Sequence, residues 1–289
     1  MRSLATLLLT LLFSLNAAAG NPASWTEPIE PFRIIGNVYY VGTAELTSYL
    51  IATSAGHILL DAPMEENVPH LLRSIESLGF DPDDIEIMIN SHAHFDHAGG
   101  FSEIRRITGA RLLVSAPDAE LLGRGGRNDF AFGDSAAFTP AKADEVIGDD
   151  QVVELGGSRM TAIATPGHTM GGTSWVMEVE EEGQTYTVLF ANSMSAPGYD
   201  LVANEKYPEI MDDYRGSFDR LCQVDAEVFQ TRAEEGRRAL QEGDATRARD
   251  LLCEALAMWR GPALADVRYE NFALMEIRRL EELRVAALE

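Results

Sequence analysis

The chain has 289 residues and a formal net charge of −23 at neutral pH. Its hydrophobic content of 46% and charged content of 24% suit a globular protein and exclude wholesale disorder. So acidic a chain is not a nucleic-acid binder, because neutralising phosphates takes clustered Lys and Arg; the charge reads instead as a solvated surface.

Arg2, the apolar run from Leu4 to Leu15 and the small residues Ala17-Ala18-Ala19 predict an export signal over residues 1–19. The run is too short for a membrane-spanning helix, which needs about 20 apolar residues, and no later stretch qualifies. The expected mature protein starts near Gly20, is periplasmic or secreted, and has no membrane contact after cleavage. In that oxidising setting Cys222 and Cys253, the only cysteines, either pair or remain two unrelated thiols.

Asn37 to Val41, Leu46 to Ala52 and His57 to Asp61 read as strands separated by Gly- and Ser-containing turns. A helix is predicted from Val68 to Leu78, with Leu71, Leu72, Ile75 and Leu78 on one face. Ile85 to Asn90 is then a continuously apolar strand, as expected for one buried on both faces. Phe101 to Thr108 reads as helix, Arg111 to Ser115 as strand, Ala116 to Leu122 as helix and Gly123 to Ala143 as a long loop. Four strands come next: Gln151 to Leu155, Met160 to Thr165, Thr173 to Val179 and Thr185 to Ala191. This is α/β material with mixed sheets.

The character changes at Leu221/Cys222, which reads as a junction. All six histidines lie at or before His168, both lysines (Lys142, Lys206) lie before the junction, and from Cys222 onward every basic residue is Arg. Asp225 to Gln241 and Ala245 to Trp259 read as a helical hairpin about the turn Glu242-Gly243-Asp244. Gly261-Pro262 is the next break, and a third helix runs from about Tyr269 to the end.

The strongest chemical signal is Ser91-His92-Ala93-His94-Phe95-Asp96-His97. Four potential ligands in six residues, just after a buried strand, suit zinc, which takes imidazole and carboxylate at about 2.0–2.2 Å. Gly99-Gly100 is expected to let the backbone turn into the next helix. A further histidine sits in Thr165-Pro166-Gly167-His168-Thr169, where a tight turn after a strand would present it outwards.

His-x-His-x-Asp-His followed by Pro-Gly-His-Thr resembles the metallo-β-lactamase superfamily. Much of residues 33–220 is similar to its third β-lactamase subclass, through Gly36 to Gly42, His57 to Asp61, Asn90 to Gly100, Thr165 to Trp175 and Ala191 to Tyr199. The resemblance implies an αβ/βα sandwich and a small-molecule substrate, a β-lactam. It implies that His92, His94 and His168 hold a first zinc and that Asp96 and His97 contribute to a second. It further implies that Ser193 and Ser195 contact the substrate carboxylate and that Asp61 orients the site. Zinc-bound hydroxide would open the ring, with Asp96 orienting the nucleophile and relaying a proton.

The pattern breaks near Leu221. The family takes a third second-site ligand, a histidine beyond that point, and no histidine follows His168. One zinc site is expected, with the second incomplete and activity reduced or lost. The sandwich is expected to lack its last strand and helix, leaving a sheet edge uncovered. From Val224 to Glu289, Glu234 to Leu240, Ala248 to Ala257 and Trp259 to Leu264 resemble a bacterial transcriptional activator domain, which implies an all-helical, repeat-like tail. The second reading of the chain is a catalytically inert composite whose tail contacts a protein partner.

Overall fold

A computed structural model describes residues 21–259 and 273–288. The export signal predicted over 1–19 and the Gly261-Pro262 break lie outside them.

The first sheet has seven strands in sequence order: β1 (Phe32–Ile35), β2 (Val38–Tyr40), β3 (Tyr49–Thr53), β4 (Gly56–Leu60), β5 (Ile85–Ile89), β6 (Arg111–Ser115) and β7 (Glu145–Ile147). Its first four strands pair antiparallel and its last four parallel. Parallel neighbours need crossovers. These are α1 (Val68–Ser77) between β4 and β5, then α2 (Phe95–Ala98) and α3 (Phe101–Thr108) between β5 and β6. The last is α4 (Ala116–Gly123) with the long loop after it. The second sheet is antiparallel, ordered β11-β10-β9-β8, from β8 (Val152–Leu155), β9 (Ser158–Ala164), β10 (Thr173–Glu181) and β11 (Gln184–Phe190).

Strand alternation builds two cores from one sheet. Leu50, Leu59, Met88, Leu112 and Val114 face the helices and pack on Leu71, Ile75, Phe101, Ile104 and Leu122. Ile51, Ile58, Leu60, Ile87, Ile89 and Leu113 face the second sheet and meet Met160, Ala162, Trp175, Met177 and Val179. Being buried on both sides, β5 can be apolar throughout, as its sequence suggests.

The predicted strands and helices of residues 37–191 are present, with ends shifted by up to three residues. Two strands and one α-helix of the sandwich escape sequence reading. β1 has a burial pattern with no inward-facing alternation, β7 is three residues long, and α2 is a single turn inside the histidine motif.

The tail is helical, formed by α5 (Ile210–Gln241), α6 (Ala245–Ala257) and α7 (Ala273–Leu288). Phe229, Ala233, Ala255 and Leu280 make its core, with Trp259 against Phe229. α5 begins fifteen residues before the predicted start at Asp225 and runs straight through the predicted junction. Its early turns are amphipathic: Ile210, Tyr214 and Ser217, spaced four and three apart, are all buried. No described strand pairs the outer edge of β11. Arg232 of α5 donates to the Thr185 carbonyl of that strand. A cavity of about 450 Å³ remains between α5 and the outer face of the second sheet, lined by Ile163, Val176, Thr187, Arg220, Val228 and Arg232, among others.

Candidate metal centre

The side chains of interest leave the ends of four strands on one rim of the sandwich. Asp61 follows β4, Asn90 to His97 follow β5, Thr165 to His168 follow β9, and Asn192 to Ser195 follow β11. Asp61 sits at φ +64, a left-handed conformation in which Asp is among the better-tolerated residues. There its carboxylate accepts from Ser91 N (2.6 Å), Ser91 Oγ (2.7 Å) and His97 Nδ1 (2.9 Å), pinning the start and end of the histidine motif to β4. Gly99 and Gly100 do not serve an unusual turn, since their φ values are −60° and −84°. They serve close approach: a Cβ on Gly100 would lie 2.6 Å from the Pro63 carbonyl oxygen.

His92, His94 and His168 converge, all buried, with their ligand atoms within 4.8 Å of one another. His94 Nδ1 and His168 Nε2 are 3.2 Å apart, and His92 Nε2 is buried without a hydrogen-bond partner. Tetrahedral zinc with bonds of about 2.0–2.1 Å needs nitrogens about 3.3 Å apart, a spacing the His94–His168 pair matches, and three imidazoles are a donor set that fits the ion. Two of the three opposite ring atoms, on His168 and His92, are hydrogen-bonded, and that of His94 has only a longer contact with a carboxylate. His168 Nδ1–H donates to the Ser195 carbonyl (2.8 Å), His94 Nε2 lies 3.7 Å from Asp129 Oδ2, and His92 Nδ1 lies 3.2 Å from Ser91 Oγ. Such contacts fix ring orientation and tautomer. Burial, then the neighbouring imidazoles, hold His92 well below the usual histidine range, and burial followed by His94 lowers His168 to about 4. Both rings are therefore neutral and ligand-ready at physiological pH.

A second group brings together His92, Asp96 and His97. His92 belongs to the first trio, which leaves, among the described residues, Asp96 and His97 for a further ion. His97 Nε2 lies 3.9 Å from Asp96 Oδ2. Burial opposes a charge on His97, but the charge and hydrogen bond of Asp61, with Asp96 behind them, outweigh it and raise the imidazole above its ordinary value. Two protein ligands do not fit a second structural or catalytic zinc, for which three or four are usual. Ser193 and Ser195 stand beside the trio on an open loop, with their hydroxyls 3.0 Å apart.

Asp61→Asn keeps a residue that tolerates the left-handed backbone but removes the charge. The metal-free variant is expected to lose about 1–3 kcal/mol, since donors that met a carboxylate are left short. His97 should titrate at lower pH. Urea unfolding and imidazole NMR read both, and an unmoved His97 titration would contradict the pairing.

Sequence reading missed several groups that shape this rim. Phe132 and Tyr199 flank the trio: the Phe132 ring lies 5.0 Å from that of His94, and Tyr199 stacks on His168 at 5.7 Å. Asp129 lies in the long loop, where its Oδ1 accepts from Ala131 N and Phe132 N, both at 2.8 Å. Asp118 stands in the first turn of α4. In the fold it is buried. Its Oδ2 accepts from Asn90 Nδ2 (2.8 Å) and its Oδ1 has no partner. Burial raises this carboxyl from 3.8 to about 6.

A carboxyl raised in this way is one that the fold prefers protonated. The contribution of Asp118 is therefore full below about pH 4 and is lost as pH rises to 6, by about 3 kcal/mol. The stability of metal-free Asp118→Asn relative to the parent should improve by about that amount between pH 4 and 7. Urea unfolding across that range checks this, and a difference flat with pH would count against it.

Buried imidazoles clustered on the rim of an αβ/βα sandwich define a metal-dependent hydrolase fold. The chain belongs to the metallo-beta-lactamase superfamily, whose family model matches residues 45–229. A model of the bacterial transcriptional activator domain matches residues 224–289, so the two matches meet inside α5. Among solved structures, BJP-1, a subclass B3 metallo-beta-lactamase of Bradyrhizobium japonicum, is 40% identical. That match covers 68% of this chain and 75% of that one, with a TM-score of 0.65. The FEZ-1 metallo-beta-lactamase of Legionella gormanii is 35% identical, covering 87% and 98%, with a TM-score of 0.67. An N-acyl homoserine lactonase of Bacillus thuringiensis is 25% identical over 167 residues, which is 50% of this chain and 62% of that protein. The chain spans 24% to 62% of the length of the curated relatives it matches.

Proposed function

We propose that this chain is a single-zinc hydrolase that opens the β-lactam ring. The observation that carries the reading is the buried, converging trio His92, His94 and His168, in a chain 35–40% identical to the two metallo-beta-lactamases above. Zinc held there would supply Lewis-acid polarisation of the substrate carbonyl and make water easier to deprotonate. His92 Nε2, His94 Nδ1 and His168 Nε2 would hold it, oriented by Ser91, Asp129 and the Ser195 carbonyl.

The Asp96 carboxylate, partly exposed beside His97 and grouped with His92, is the base placed to take the proton of the attacking water. It returns that proton to the ring nitrogen as the carbon–nitrogen bond breaks. Ser193 and Ser195 offer two hydroxyls to the carboxylate of the substrate. Phe132 and Tyr199 flank the approach to His94 and His168.

The experiment is turnover of a carbapenem, a cephalosporin and an acyl lactone by the purified full chain, with zinc and then with chelator, alongside zinc stoichiometry. β-Lactam turnover abolished by chelator, at one zinc per chain, is the expected result. Lactone turnover alone would favour a zinc hydrolase of another ester or lactone, a reading supported by the similarity to an N-acyl homoserine lactonase. Folded protein that binds zinc and turns over nothing would leave an inert composite whose tail serves protein contacts. We also propose that the protein is exported, which cell fractionation tests by finding a periplasmic form that starts near Gly20.

A further inference from the structure

The trio is held from behind by a helix outside the motif. Pro166-Gly167-His168 lies directly on the first turns of α5. Gly167 has φ +134, and a Cβ there would come within 2.7–2.9 Å of the Tyr214 ring, so the ring fits only because the side chain is missing. The Tyr214 hydroxyl donates to the Ser195 carbonyl at 2.6 Å, and that same oxygen takes the Nδ1–H of His168 at 2.8 Å. Three residues on, the Ser217 hydroxyl donates to the Pro166 carbonyl at 2.6 Å. Both side chains are buried, and residues three apart share a helix face.

We infer that Tyr214 and Ser217 are positioning residues for His168, fixing the loop before it and the carbonyl that orients its ring. Neither touches the zinc-binding nitrogens. They act on direction: the Ser195 carbonyl sets the plane of the imidazole, and the plane sets whether Nε2 points at the space shared with His92 and His94. An acceptor held by two donors cannot swing, and a loop bonded at Pro166 cannot lift. The inference rests on the zinc reading above and extends it to a part of the chain that the histidine motif does not contain.

The test is zinc affinity of the full chain, measured by competition with a chromophoric chelator, and the visible spectrum of the cobalt(II)-substituted protein. Tyr214→Phe keeps the ring on Gly167 and loses only the hydroxyl. It should weaken zinc binding about 10-fold, the lower end of what outer supports of metal ligands contribute, and shift the cobalt bands. Ser217→Ala should weaken binding in the same direction and stands in should Tyr214→Phe fail to fold. Tyr207→Phe is the control. Its hydroxyl meets Asp213 in the same aromatic cluster, so it reports general loosening. Affinities for Tyr214→Phe and Ser217→Ala within twofold of the parent would overturn the inference, as would an equal loss in Tyr207→Phe. A parent chain that binds no zinc would instead sink the metal reading itself.

Discussion

His168→Ala is expected to leave the protein folded, unable to retain zinc through dialysis, and at least about 100-fold slower on any β-lactam it hydrolyses. Losing an outer support of a ligand typically costs 10–100-fold, and losing the ligand itself costs more. What remains, His92 and His94, comes from one short segment after β5 and offers two nitrogens to an ion that wants three from the protein. The pH dependence of the metal-free protein separates ligand loss from unfolding. Burial lowers His168 to about 4, so the fold favours the neutral ring. That contribution is full above about 6.5 and is lost as pH falls towards 4, amounting to about 3 kcal/mol. His168→Ala lacks this loss and should gain on the parent at acid pH. Zinc stoichiometry and urea unfolding at pH 4.5 and 7.5 measure both effects. Near-stoichiometric zinc in the variant would remove His168 from the site.

Trp175→Ala is expected to cost 3–5 kcal/mol, a large share of the 5–15 that holds a typical domain together. Trp175 is fully buried on β10, facing the first sheet, where no smaller residue fills its volume. Its Nε1–H donates to the Asn90 carbonyl at 2.8 Å, at the point where β5 gives way to the histidine motif. Two losses therefore add: a cavity between the sheets, and an acceptor left unmet two residues before His92. Trp175→Phe separates them, because it keeps much of the volume and loses the donor, for about 1–3 kcal/mol. A midpoint in urea close to the parent's for the alanine variant would contradict this account of the inter-sheet core.

The histidine motif was legible because its ligands lie within six residues of each other and straight after an apolar strand, so local spacing carries the chemistry. His168 announced itself through the Pro-Gly turn before it. Asp129, Tyr214 and Ser217 could not, because each acts on a ligand that is a neighbour only after folding. Asp129 meets His94 across 35 residues, and Ser217 meets Pro166 across 51. Periodicity placed the paired strands but not β1 or β7, which are short and lack two clean faces. The change in composition at Leu221 is real in sequence, yet it leaves no mark on the backbone. A helix, once nucleated, propagates turn by turn, and neither Gly216 nor the mixed helix formers around the junction interrupt α5.

An unbroken α5 sets the tail by angle as well as by distance. Each residue of a helix rotates the next one by about 100° and advances it by about 1.5 Å. One residue added between Ser217 and Val228 would swing Phe229, Ala233 and everything packed on them a quarter-turn or more around the sandwich. Four added residues would overshoot a full circle by about 40°, while seven come back to within about 20° of the starting direction. Two sequences of separate character can be spliced here only at lengths that keep their faces in phase. The helix thus acts as a gauge, accepting some joint lengths and refusing the rest.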